Sequence, residues 1–182
     1  MHRPIYKIVT LLCLLLCTTI QIGAETKAPS EYAVKAAFLY NFTKFVEWPE
    51  DVLKDRDSLK ICIFGTNPFG NSLEKTVEGK KAQSKPIKII YTSEANDIID
   101  CQMLFIASFN EKLKEEALTV VADLPVITVS DLPDFASNGG MIGFYFDNNR
   151  IRFEINRQTA NDVDLSFSSR LLKIAHIVQE EE

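Results

Sequence analysis

The chain has 182 residues, with 20 Lys or Arg against 25 Asp or Glu, and two histidines. An acidic chain without a basic run argues against nucleic-acid binding, whose affinity comes largely from cations on phosphates. Hydrophobic residues make up 46% of it, enough for a domain with a real core.

The N-terminus reads as an export signal. His2, Arg3 and Lys7 form a short basic leader, residues 8–22 carry no charge, and Gly23 and Ala24 supply small residues before Glu25. Basic, apolar and small-residue regions in that order are the parts of a secretory signal, with cleavage expected near Ala24. The apolar run of about 15 residues falls short of the ~20 that cross a bilayer as a helix, so export is expected rather than anchoring. Cys17 follows three leucines, not the small residue that a lipid-modified cysteine wants. The expected organisation is a signal at 1–24 and a single domain at 25–182. Arg3 and Lys7 leave with the signal, so 18 basic residues face 25 acidic ones and the net charge becomes −7. No later stretch is apolar enough to span a membrane, so no stable membrane insertion of the mature chain is expected. Cys62 and Cys101 remain after cleavage. In an exported chain such a pair is a disulfide candidate, the alternative being two unconnected core cysteines.

Ser30 offers an N-cap and Glu31 and Lys35 an i,i+4 ion pair for a helix over residues 32–48. Val34, Phe38, Phe42 and Phe45 share its apolar face, widened by Leu39 and Val46, and Pro49 stops it. Residues 59–64 (LKICIF) read as a strand. Asn67-Pro68 starts a helix over residues 69–78, ended by Gly79. Residues 80–85 read as a polar loop, 87–91 and 102–107 as strands, 110–122 as a helix capped by Asn110, and 126–129 as a strand. This alternation predicts an α/β fold: a three-layer, mixed, mostly parallel sheet with helices on both faces. Residues 141–146 and 151–155 alternate around Asp147-Asn148-Asn149-Arg150, a hairpin signal. Residues 156–162 form a short helix or turn. Residues 168–178 predict an amphipathic helix that packs Leu171, Leu172, Ile174, Ala175 and Val178, so the fold ends on a β-hairpin plus helix. The Gly139-Gly140 pair meets a positive-φ backbone need on entering the hairpin.

Catalytic patterns are weak. Gly65 to Gly70 follows a strand, but Asn71 stands where a phosphate loop needs Lys. His176 lies on the expected packed helix, and no nucleophile pattern accompanies it. Asp131 and Asp134 fit capping and solvation better than acid–base work. One histidine and two separated cysteines make no zinc set. Arg152, Glu154 and Asn156 end a strand, where they either pair internally or form a recognition spot. The reading is of no enzyme, no catalytic residue, no metal and no cofactor.

Residues 34–49 (VKAAFLYNFTKFVEWP) resemble the opening signature of the YfiR family of periplasmic proteins. Residues 139–156 (GGMIGFYFDNNRIRFEIN), followed by SSRLLKIA at 168–175, resemble its C-terminal signature. Cys62 and Cys101 sit where one family disulfide is expected, and a second bridge of some members has no counterpart here. The resemblance implies a periplasmic repressor that binds the sensor domain of an inner-membrane diguanylate cyclase and lowers cyclic di-GMP, so that its release favours biofilm. It places Arg152, Glu154 and Asn156 near the partner surface and suggests a homodimer. The alternative is a periplasmic small-ligand-binding module serving another membrane sensor, with a cleft at the carboxyl ends of the strands near Gly65 and Asp131.

Overall fold

The computed structural model describes residues 30–107 and 110–178. The expected signal at 1–24 and the acidic tail at 180–182 lie outside the described residues. Elements run in the order α1 (Glu31–Phe45), β1 (Val46–Glu47), α2 (Glu50–Lys54), β2 (Leu59–Phe64), α3 (Ser72–Val77), β3 (Lys81–Ala82), β4 (Lys85–Thr92) and a 3-10 turn (Ala95–Ile98). They continue with β5 (Met103–Ile106), α4 (Glu111–Val121), β6 (Ile127–Ser130), β7 (Ile142–Asp147), β8 (Arg150–Ile155), α5 (Arg157–Asn161), β9 (Ser166–Phe167), α6 (Ser169–Leu172) and β10 (His176–Ile177).

Eight strands form one sheet in the order β10-β8-β7-β6-β5-β2-β4-β3. The pairs from β4 through β2, β5 and β6 to β7 are parallel, and β7 with β8 is antiparallel. Strand alternation sends side chains to opposite faces. Ile61 and Ile63 therefore join one apolar cluster with Leu39 and Phe42 of α1 and Leu73 of α3. Cys62 and Phe64 join a second with Ile98 of the 3-10 turn and Ala117 and Val121 of α4. Helical layers thus cover both faces, and every residue of β5 and β6 is buried, as a doubly covered parallel sheet requires. Phe42 alone, fully buried, contributes roughly 2–3 kcal/mol of transfer free energy.

The buried stripe of α1 is displaced from the expected one. Lys35, Ala36, Leu39, Phe42 and Thr43 are buried, whereas Val34, Phe38 and Phe45 are only partly so. The helix also ends at Phe45, because Val46 and Glu47 pair with Phe167 and Ser166. Pro49, which disfavours helical backbone at Trp48, completes the stop. The helix expected from residue 69 starts at Ser72. Asn67 is spent on a turn instead, its Oδ1 accepting from the Phe69 N–H at 2.9 Å and its Nδ2 donating to the Gly70 carbonyl at 3.0 Å. The expected loop at 80–85 holds β3, which folds back on β4 through Gln83 and Ser84 at φ 50° and 64°.

The largest correction is at the C-terminus. The helix expected over residues 168–178 is four residues long, and the chain then extends as β10 alongside β8 in parallel. Val178 N–H donates to the Ile155 carbonyl at 2.9 Å, which satisfies an otherwise open edge of the hairpin. Ile174, expected to pack, is 62% exposed. His176, expected on a packed helix, is exposed on an edge strand.

Candidate functional site

Two surfaces collect the residues that sequence patterning singled out. The first is the hairpin β7–β8. Asn148 and Asn149 hold φ of 48° and 59°, the left-handed pair that a two-residue hairpin turn demands and that Asn tolerates. Register sets Tyr145 opposite Arg152 and Gly143 opposite Glu154, with His176 of β10 beside Glu154. Phe153 and Ile155 point into the core under α1, so Tyr145, Arg152, Glu154 and His176 share the other face. Arg152 has a nearly half-exposed side chain, with Nε 3.8 Å from Asp147 Oδ2. Glu154 is half-buried and makes no ion pair among the described residues. Its carboxylate lies over Gly143, where a Cβ would come within 2.9 Å of Oε1. Asn156 has a structural task. Its Oδ1 accepts from the Thr159 N–H at 3.1 Å, capping α5, and its Nδ2 donates to the Ala136 carbonyl at 3.0 Å.

At the hairpin tip, Tyr145 is 38% and Phe146 60% exposed, at adjacent positions and hence on opposite faces. Phe146 and Ile151 form one wall of a groove of about 460 Å³, and Val34 and Phe38 of α1 form the other. This groove is why the apolar stripe expected on α1 is only partly buried.

The second surface lies at the carboxyl ends of the parallel strands. β4 lies to one side of β2 and β5 to the other, so the chain reverses direction across the sheet at that point. Open α/β sheets bind ligands at such a crevice. A cleft of about 450 Å³ occupies it, lined by Tyr32, Gly65, Thr66, Pro68, Ser93, Ala107, Leu113 and Asp131. Beside it lies a charged network of which the sequence shows the Glu31–Lys35 pair but not its link to Asp131. Lys35 Nζ, on a side chain only 3% exposed, donates to Asp131 Oδ2 at 2.5 Å and to Glu31. The Tyr32 hydroxyl donates to the same Asp131 oxygen at 2.9 Å. Lys35 Nζ also stands 4.5 Å from the centre of the Tyr32 ring. Burial, then the hydrogen bond to Asp131 and the nearby carboxylates, push the Tyr32 phenol well above its ordinary value.

The remaining features are structural. Gly65, at φ 97°, closes a strand-to-helix turn without a phosphate-loop cation. Asp134 holds a left-handed backbone, φ 53°, in the loop before the hairpin, apart from the cleft lining. Gly139 has the expected positive φ of 89°, but Gly140 serves differently: a Cβ there would overlap the buried Phe135 ring. Cys62 of β2 and Cys101, just before β5, are joined by a disulfide with Cα atoms 6.0 Å apart. It staples the two strands that flank the crevice. No group of three or more metal-ligating side chains occurs among the described residues. No helix among them is long and apolar enough to cross a membrane.

Among solved structures, the chain is similar to an ABC domain from Streptococcus pneumonia in complex with L-Trp, at 8% identity and a TM-score of 0.48. That match covers 66% of this chain and 55% of the other. It is also similar to a conserved domain protein from Vibrio cholerae, at 10% identity and a TM-score of 0.46, covering 82% and 60%. The chain therefore spans little more than half the length of these solved chains. No curated protein matches it. The sequence pattern of one family matches residues 32–176, from the first turn of α1 into β10. The chain belongs to the YfiR/HmsC-like family, known as periplasmic regulators.

Proposed function

We propose that the protein is exported, loses residues 1–24, and restrains the periplasmic sensor domain of an inner-membrane diguanylate cyclase, lowering cyclic di-GMP. Membership of the YfiR/HmsC-like family is the observation that carries this reading. The chain acts as a binding partner, not a catalyst, and needs no cofactor.

The hairpin is the contact element in this reading. An aromatic on each face at its tip, and an Arg152–Glu154 row beside it, give the mixture of apolar anchors and charge that protein interfaces use. Arg152 and Glu154 meet the partner directly, and Asn156 positions the strand end by capping α5. The Cys62–Cys101 bridge suits an oxidising compartment and keeps the domain rigid there.

Deletion of the gene tests the reading in cells that carry such a cyclase. Cyclic di-GMP and biofilm mass rise in the deletion strain, and the cyclase co-purifies with the tagged protein. Unchanged nucleotide levels together with no captured cyclase would overturn it. Sedimentation of the purified protein decides whether it acts as the homodimer that the family resemblance suggests.

A further inference from the structure

We propose that the cleft at the carboxyl ends of β2, β4, β5 and β6 binds a small cationic amine with an apolar body. The residues that line it come from four separate strand ends and from α1 and α4, so only the folded sheet assembles them. Their chemistry is one-sided. Among the described residues the lining holds a carboxylate, Asp131, and no Lys or Arg. The adjoining network adds Glu31 and Lys35, so two carboxylates meet one ammonium and the set is left with one negative charge. An anionic ligand is repelled there, and a cation completes the balance.

The hydrogen-bonding capacity points the same way. Asp131 Oδ2 is taken by Tyr32 and Lys35, but Oδ1 accepts no hydrogen bond among the described residues. The hydroxyls of Thr66 and Ser93 likewise have no partner among them. One free carboxylate oxygen and two hydroxyls can together receive the three N–H donors of an ammonium group. Pro68, Ala107 and Leu113 give the same cleft apolar walls, which suit a hydrocarbon body rather than a bare inorganic cation.

The carboxylate is also held in place before any ligand arrives. Lys35, a buried residue of α1, and the Tyr32 hydroxyl fix the Asp131 side chain. A ligand therefore need not order it, and pre-ordered groups raise affinity by lowering the cost of binding. The inference does not depend on the regulatory reading, since it concerns binding by the isolated protein.

Calorimetric titration of the purified protein with three probes of one body and different heads tests it: 2-phenylethylamine, 2-phenylethanol and phenylacetate. The amine binds saturably and at least tenfold more tightly than the alcohol or the acid. Asp131→Asn weakens amine binding at least tenfold. Because that change disturbs Lys35, Leu113→Trp serves as a second variant, filling the cleft from α4 without touching the network; it abolishes amine binding at an unchanged melting temperature. Equal binding of the three probes, binding of the acid alone, no saturable amine binding, or a Leu113→Trp protein that folds and binds as before would each overturn the proposal.

Discussion

Lys35 Nζ lies 2.5 Å from Asp131 Oδ2, tying the first turns of α1 to the carboxyl end of β6 across 96 residues of chain. The lysine side chain is 3% exposed and the aspartate 14%, so the pair is screened little by water. Removing Lys35 strands the Asp131 charge, which costs about 3–5 kcal/mol in a buried pair, whereas removing Asp131 leaves Lys35 its second partner, Glu31. Lys35→Ala is therefore expected to lower the unfolding free energy by about 3 kcal/mol in urea titrations, and Asp131→Ala by less. The double variant falls well short of the sum, since the second loss no longer strands a charge.

Tyr32 gives the same network a pH signature. Its phenol is raised above the ordinary value of 10.0 by burial first, and then by Asp131. The unfolded chain loses this proton near pH 10, while the folded chain holds it to higher pH. Stability linked to Tyr32 is thus whole below about pH 10 and is lost as pH rises above it. Tyr32→Phe should be less stable than the parent by about 1 kcal/mol near neutral pH, from the lost hydrogen bond. That gap narrows between about pH 10 and pH 11. Tyr91, raised by burial and by its bond to Glu74, superposes a similar alkaline loss that Tyr91→Phe removes separately.

The Cys62–Cys101 bridge closes a loop with a sequence separation of 39. On the chain-entropy account such a loop contributes about 4 kcal/mol through the unfolded state. Reduction, or a Cys62→Ala/Cys101→Ala variant, is expected to lower stability by roughly that amount in urea, with the fold kept. Both cysteines are buried, so reductant acts slowly on the native protein and quickly in denaturant. Mass spectrometry with thiol labelling follows both rates.

Gly140 and Gly143 differ in what they accommodate. A methyl at Gly140 meets the ring of Phe135, which is 1% exposed and has nowhere to go. Gly140→Ala is expected to cost about 1–3 kcal/mol by overpacking. At Gly143 the obstacle is the end of the Glu154 side chain, which can swing toward solvent. Gly143→Ala should therefore cost less than Gly140→Ala in thermal unfolding.

What sequence could and could not reveal follows from the range of the interactions. β2 was legible residue for residue, because LKICIF is a short apolar run bounded by turn signals. The caps Ser30 and Asn110 were legible because a cap acts within three residues, on Ala33 and Leu113. The Glu31–Lys35 pair is legible because it spans one helical turn, but the second partner of Lys35, Asp131, lies 96 residues away and is not. The apolar spacing of residues 173–178 fits a helix as well as a strand, so the local pattern does not decide between them. An open β8 edge, not local propensity, decides in favour of β10. Ser93 of the cleft belongs to no local pattern, and only the sheet order brings it beside the Gly65–Gly70 loop and Asp131.

Arg152 separates the roles of fold and partner. It is exposed, lies on the uncovered face of the hairpin opposite Tyr145, and has only a loose ion pair with Asp147. Exposed pairs contribute about 0–1 kcal/mol, so Arg152→Glu should leave the urea midpoint almost unchanged. At an interface the same change sets a negative charge where a positive one met the partner, and like-charge contacts there cost several kcal/mol. Co-purification of the cyclase should then fall at least tenfold and cyclic di-GMP should rise as in the deletion strain. Asn156→Ala is the contrast. It removes the α5 cap and the bond to Ala136, so it should lower stability by about 1 kcal/mol or more and weaken binding only through the fold. If Arg152→Glu binds the cyclase as the parent does, the partner surface lies elsewhere on the molecule, and the groove between Phe146 and Phe38 becomes the next place to mutate.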